Sequence, residues 1–128
     1  MADKLALGKL GEQLAVQYLL KQGYKIIERN FRKRYGEIDI VAQDPSTRSG
    51  EVGETLVFVE VKTRYPNNFG SPEEAITPWK LKSLIKSAEY YKMLHPELPD
   101  LLRIDFVGVE FGEDGRVKEI KLIRNITF

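Results

Sequence analysis

The sequence predicts a mixed α/β fold, a β-sheet flanked by helices in the order α-β-β-β-α-β-β. Three observations carry this prediction: two segments repeat apolar residues at helical spacing, five short apolar runs have the length of strands, and clusters of Gly, Pro and Asn separate them. The strand that follows the second helix is expected to run parallel to a neighbouring strand, because a helical crossover precedes it. We expect a single domain over residues 1–128.

The composition excludes several classes of function. The chain has no cysteine, which rules out disulfides, thiolate zinc sites and cysteine nucleophiles and fits a cytoplasmic location. The first ten residues contain charges and no sustained apolar run, so neither a signal peptide nor a membrane span is expected. The net charge of +1 argues against indiscriminate coating of nucleic acid, and any affinity must come from local patches. Phosphate-binding loops, dinucleotide fingerprints and serine-nucleophile elbows do not occur in the sequence.

The first helix is predicted over residues 3–22, where apolar residues recur at helical spacing and Gly23 suits the C-terminal end. Its apolar stripe consists of Leu7, Leu10, Leu14 and Tyr18. Glu12 falls at the margin of this stripe. It is therefore either an exposed glutamate of an amphipathic helix or a carboxylate that reaches a site on the sheet.

Two predicted strands each carry a carboxylate where a core residue would be expected. In the strand Gly-Glu-Ile-Asp-Ile-Val-Ala, Asp39 lies between two isoleucines and is expected on the same face as Glu37 and Val41. In the next strand, Glu60 and Lys62 emerge together at the end of an apolar run. Pairing of the two strands would bring Asp39 beside Glu60 and Lys62. The alternative for the Glu-x-Lys pair is a solvated decoration of a sheet edge.

Such a cluster has a chemical use. The carboxylates of Asp39 and Glu60, together with the carbonyl of Val61, offer hard oxygen ligands suited to Mg²⁺ or Mn²⁺. A buried carboxylate also requires a partner or a metal to be stable. Lys62 would face whatever the metal binds, and with a phosphodiester it could position the attacking water or stabilise developing negative charge.

The segments GEIDIVA and VFVEVKTR, together with the helical GEQLA, resemble the YraN-like family of predicted endonucleases, which is similar to archaeal Holliday-junction resolvases of the PD-(D/E)xK nuclease superfamily. The resemblance covers most of the chain and implies a restriction-endonuclease-like fold. It assigns the catalytic aspartate to Asp39, the Glu-x-Lys to Glu60 and Lys62, and the helical glutamate to Glu12. It further implies a magnesium- or manganese-dependent endonuclease acting on branched or otherwise structured DNA, with DNA repair as its setting and a homodimer as a possible assembly.

Nucleic-acid contacts are expected from cations near these strands and on the second helix, since phosphate contacts supply affinity. The candidates are Arg32, Lys33, Arg34, Arg64, Lys82 and Lys86. For the run after the first strand the alternative is a solvated turn, and for the lysines it is the wet side of a helix. Residues 44–54 and 65–72 are predicted loops; Tyr65 and Phe69 could stack on a splayed base there or anchor the loop to the core.

The second half of the chain is predicted to hold a helix and two strands. Thr77 and Pro78 suit the N-cap and first turn of the helix. Its buried stripe is expected to be Leu81, Leu84, Ile85, Ala88 and Tyr91. The last strands are predicted over residues 101–111 and 117–126, and Arg103 and Asp105 in the first of them form a salt bridge or buttress the site.

Two functions without catalysis stay open. The chain could be a nuclease-like module that binds nucleic acid or protein without cutting, although a degenerate module would be expected to lose at least one of the buried carboxylates. It could also be a structural partner in a larger repair assembly, with the lysine-bearing helix as its docking face.

Overall fold

The computed structural model describes residues 4–34, 36–45, 54–66 and 70–127. Its elements, in chain order, are α1 Lys4–Lys21, β1 Lys25–Lys33, β2 Gly36–Asp44, β3 Thr55–Arg64, a short 3₁₀ helix Pro72–Ala75, α2 Pro78–Leu94, β4 Leu101–Phe111 and β5 Val117–Ile123. The strands form a sheet in the order β1-β2-β3-β4-β5. β3 and β4 are parallel, and the other neighbours are antiparallel. The predicted fold class, the element order and the parallel pairing across the helical crossover are confirmed.

The sheet is covered by a helix on each face, and the central strand β3 shows why. Val57 and Val59 pack in the cluster on the α1 side, which includes Ala15 and Leu19. The intervening Leu56 and Phe58 pack in the cluster on the α2 side, with Leu84, Ala88 and Tyr91. Because successive side chains of a strand point to opposite faces, a strand that is apolar at every position is stable only with both faces buried.

Helix α1 packs on a stripe of small residues. Gly11, Ala15 and Leu19 are buried, whereas Leu10 of the predicted stripe is 44% exposed. The reason is a close approach to β3: a Cβ atom at Gly11 would clash with the side chain of Thr63. The sequence prediction for Leu10 was therefore wrong, and the correct stripe places Glu12 next to the contact with β3.

Helix α2 begins as predicted. The Thr77 hydroxyl oxygen accepts a hydrogen bond from the Lys80 backbone N–H at 3.0 Å, and Pro78 occupies the first turn. Of the predicted stripe, Leu84, Ala88 and Tyr91 are buried, whereas Ile85 is at the margin with 37% exposed. The first turn of α2 is therefore fixed by its own cap as well as by packing.

Asp44 is not part of a loop, as the sequence suggested, but the last residue of β2. It is buried and accepts a hydrogen bond from Arg103 at 2.8 Å. Arg103 also donates to Asp105 at 2.8 Å, and the Tyr24 hydroxyl donates to Asp105 at 2.8 Å. This network confirms the salt bridge predicted between Arg103 and Asp105. It fastens the C-terminal end of β2, whereas Asp39 lies nearer the other end of that strand.

The two predicted loops, residues 44–54 and 65–72, lie partly outside the described residues. Residues 46–53 of the first predicted loop lie outside the described residues, as do residues 67–69 of the second, including Phe69. None of the described helices is both long enough and apolar enough to span a membrane.

Candidate active site

The pairing between β2 and β3 stops beside the predicted carboxylates. Paired residues run from Asp44 and Thr55 to Ile40 and Val59. One step further, where Asp39 would pair with Glu60, the backbone N–H of Val61 instead donates to Asp39 Oδ2 at 2.8 Å. The carboxylate of Asp39 thus holds β3 at the point where the ladder ends. We call the group of Asp39, Glu60 and Val61 at this point the fork.

The side-chain alternation of β2 also breaks at the fork. Ile38 belongs to the cluster on the α2 side and Ile40 to the cluster on the α1 side, although they are two residues apart. In β1, Asn30 lies between Arg29, which pairs with Ile40, and Phe31, which pairs with Ile38, and it has a left-handed φ of 55°. The expectation that Asp39 shares a face with Val41 was wrong, because Val41 packs on the α2 side while Asp39 lines a cleft against α1.

The cleft beside the fork has a volume of about 850 Å³. Asp39, Lys62 and Glu12 line it, as does Glu37. A set of cations from α1 and β1 completes its walls: Lys9, Arg29 and Arg32. Three of the four predicted catalytic residues therefore face the same cleft.

Glu60, the fourth predicted catalytic residue, contacts α2. Its Oε1 atom lies 3.4 Å from Lys80 Nζ, and its side chain is only 14% exposed. Burial raises the pKa of Glu60, and Lys80 partly opposes the increase. Sequence reasoning missed Lys80 as a site residue, because the spacing of lysines along a helix does not show which of them meets the sheet.

Asp39 has the most strongly perturbed acidity of the cleft. Burial raises its pKa to about 7, and the negative charge of Glu60 acts in the same direction. The hydrogen bond from Val61 N–H favours the charged form and partly offsets the increase. A half-buried carboxyl group whose ionisation is disfavoured both by burial and by neighbouring negative charge is typical of a catalytic or cation-binding site.

The predicted metal ligands are divided between the cleft, which Asp39 and Glu12 line, and the contact of Glu60 with α2. Within the described ranges, no three His, Asp or Glu side chains are arranged to hold a metal ion. The structure therefore does not assemble Glu12, Asp39 and Glu60 into a three-carboxylate site. The donor chemistry of these residues still fits a hard divalent cation, because Asp39 and Glu60 are half-buried carboxylates with raised pKa values and a cation would stabilise their charged forms.

The predicted nucleic-acid contacts lie in three places. Arg32 lines the cleft and pairs with Glu37 at 3.0 Å, and Lys33 and Arg34 are exposed just beyond it. Arg64 lies at the end of β3, and its buried Nε has no hydrogen-bond partner in the described part of the chain. Lys82 and Lys86 instead line a separate groove between α2 and β5. The remaining walls of that groove are mostly apolar.

The mixed sheet, its two helical layers and the acidic fork define a protein with a nuclease-like, restriction-endonuclease fold. The chain belongs to the uncharacterised protein family UPF0102, whose profile matches residues 11–109.

Relatives named UPF0102 protein are similar over nearly their whole length. The one from Syntrophomonas wolfei is 48% identical over 112 residues, covering 88% of this chain and 90% of its own. The one from Caldicellulosiruptor saccharolyticus is 42% identical over 123 residues, covering 96% and 98%. Among solved structures, Pyrococcus furiosus SfsA in complex with Ca²⁺ is 19% identical with a TM-score of 0.35, and the match covers 96% of this chain and 64% of that chain.

Proposed function

We propose that this protein is a metal-dependent endonuclease that hydrolyses phosphodiester bonds in nucleic acid, with branched or otherwise structured DNA as its substrate. The observation that carries the proposal is the fork, where half-buried Asp39 accepts a hydrogen bond from Val61 N–H and Lys62 lines the same cleft. The nuclease-like fold supports it. The proposal includes a cytoplasmic location and a homodimer as a possible assembly.

The proposed ligands of Mg²⁺ or Mn²⁺ are Asp39, Glu12 and the carbonyl of Val61, which line the cleft, together with Glu60. The structure does not gather them into one site, so binding of the ion would have to draw their oxygen atoms together. When bound, such an ion supplies an activated water and neutralises phosphate oxygens. Glu60 contacts Lys80 and would have to share its carboxylate between the two cations.

The residues of the chain have distinct roles in this proposal. The N–H of Val61 fixes the orientation of the Asp39 carboxylate. Lys62 stabilises the negative charge that develops as the water oxygen bonds to phosphorus, the bond to the leaving oxygen breaks, and that oxygen takes up a proton. The cations of the cleft wall, Arg29 and Arg32, hold the neighbouring phosphates.

Cleavage assays test the proposal directly. Labelled four-way junction, flap, duplex, single-stranded DNA and RNA are incubated with Mg²⁺ or Mn²⁺ and with wild type, Asp39→Asn or Lys62→Ala. We expect wild type to cut structured DNA and each variant to cut it at a rate that is lower by about 100-fold or more. Lys118→Ala, an exposed residue of β5, is the matched control and should cut like wild type. Cutting that survives both site variants, or no cutting of any substrate, would contradict the proposal.

A non-catalytic nucleic-acid-binding or protein-interaction module is the second candidate. The contact between Glu60 and Lys80 favours it, because a lysine already partly compensates the buried carboxylate that a metal would otherwise need to neutralise. Such a module would bind junction DNA equally well with and without divalent ions and would leave it intact.

A further inference from the structure

Trp79 is exposed to an extent that the fold does not explain. It is the one tryptophan of the sequence, and 82% of it is accessible on the first turn of α2. Among the exposed large apolar residues in the described ranges it has the highest exposure, ahead of Leu5 at 72%. An indole held in water on a rigid element is typical of a residue that contacts a partner.

The backbone that carries Trp79 is fixed next to the fork. Its chain neighbour Lys80 contacts Glu60 at 3.4 Å. Ser83, one turn further along α2, lies over the first residue of β2: a Cβ atom at Gly36 would be only 2.8 Å from Ser83 Oγ. Gly36 has a φ of 135°, so glycine suits both this conformation and this contact. The first two turns of α2 therefore contact the strands β2 and β3 that form the fork.

Cations follow Trp79 along one face of the helix. Lys82 and Lys86 lie three and seven positions further on, which places them on the same side of α2, and both are exposed. The first turn contains no acidic residue, and the N-terminus of a helix adds partial positive charge. We name Trp79, Lys82 and Lys86 the Trp79 stripe.

The chemistry of the Trp79 stripe selects its partner. An aromatic platform followed by regularly spaced cations is the combination that binds unpaired nucleotides, because a base stacks on the ring while phosphates contact the cations. A second copy of the chain fits poorly, since a two-fold contact between identical stripes would bring like charges together.

We infer that Trp79 is a base-stacking residue, on which an unpaired nucleobase of the substrate lies while its backbone follows Lys82 and Lys86. This would restrict the substrate to nucleic acid with unpaired nucleotides, such as a flap, a loop, a single strand or an opened junction. The inference rests on the proposed function for the substrate's role, but base stacking is measurable without cleavage.

The lone tryptophan is its own probe. Fluorescence of the Asp39→Asn protein is recorded during titration with a single strand, a flap and a blunt duplex of equal length, while anisotropy of the labelled nucleic acid reports binding. We expect quenching by the single strand and the flap and little by the duplex. In the same background, Trp79→Ala should weaken flap binding by about tenfold or more, and Trp79→Phe should retain most of the affinity.

Met93→Ala is the matched control, because Met93 is an exposed apolar residue at the other end of α2, 67% accessible. It should bind the flap like the parent protein. Circular dichroism checks that each variant is folded, which is expected because both side chains are exposed.

The outcomes separate this inference from the proposed function. Flap binding without quenching, and unchanged by Trp79→Ala, overturns the stacking role while nuclease activity can stand. Quenching and a loss of affinity in Trp79→Ala, with no cleavage by wild type, supports the stacking role and overturns the hydrolysis. A dimer that becomes monomeric in Trp79→Ala, with unchanged flap binding, overturns the stacking role in favour of self-association.

Discussion

Among single residues, Asp39 is the one whose ionised form is expected to lower the stability of the folded protein. Its pKa is raised from 3.8 to about 7, so the folded chain binds more protons than the unfolded chain between those values. The free energy of unfolding that depends on Asp39 therefore falls as the pH rises through this window and stays low above it. A buried carboxylate kept at this cost is expected to gain a cation during function.

Replacement of the charge tests this account. Asp39→Asn retains an oxygen that can accept the Val61 N–H and removes the charge, so we expect it to raise the free energy of unfolding by about 2–4 kcal/mol at pH 8. At pH 4, where the carboxyl group is protonated in the folded state, the gain should disappear. Urea unfolding at pH 4, 6 and 8 without divalent ions measures this difference.

Glu113→Gln, in the exposed turn between β4 and β5, is the control for removal of one carboxylate. It should change stability little at any of these pH values. A variant at Asp39 that is no more stable than wild type at pH 8 would show that the carboxylate is not under electrostatic strain.

At the scale of elements, the first turn of α2 controls the second carboxylate. Lys80 lowers the pKa of Glu60, whereas burial raises it. Lys80→Met should therefore raise the pKa of Glu60 further and shift the onset of Ca²⁺ binding to higher pH, because the metal must displace the proton. Calorimetric titration with Ca²⁺ across neutral pH measures the shift, and Lys118→Met on β5 should not show it. A shift to lower pH would mean that Lys80 mainly repels the metal.

The elements themselves were largely predictable from local patterns. Helical spacing located both helices, and Thr77 with Pro78 fixed the start of α2, because capping depends on neighbouring residues in the chain. The inversion of Ile38 and Ile40 at the fork could not be read from the sequence, since strict alternation assumes a regular strand.

The site was predictable in its composition and less so in its geometry. Asp39, Lys62 and Glu12 line the same cleft, as predicted. The two acidic residues could be identified because they interrupt apolar patterns that are visible in the sequence. The contact of Glu60 with Lys80 depends on how α2 crosses the sheet, and nothing in the spacing of lysines on a helix identifies which one will meet a strand 20 positions earlier. The exposure of Leu10 has the same origin, because it follows from the approach of Gly11 to Thr63.

At the scale of the whole molecule, the scaffold and the fork have separate sources of stability. The sheet is buried by a helix on each face, and the Arg103 network ties β2 to β4 at the end away from Asp39. A ligand that binds only the folded state stabilises it by RT ln(1 + [L]/Kd), which is about 2.7 kcal/mol at a concentration one hundred times its Kd. Divalent ions should therefore add stability through the fork alone.

Thermal unfolding at pH 8 with increasing Mn²⁺ or Ca²⁺ tests this linkage on the complete chain. Wild type should melt at a higher temperature as the ion concentration rises, whereas Asp39→Asn and Glu60→Gln should start from a higher melting temperature and respond little. Sodium chloride at matched ionic strength separates specific binding from screening. An equal increase in wild type and both variants would place the ion elsewhere on the molecule, because the two carboxylates of the fork are the ligands that these substitutions weaken.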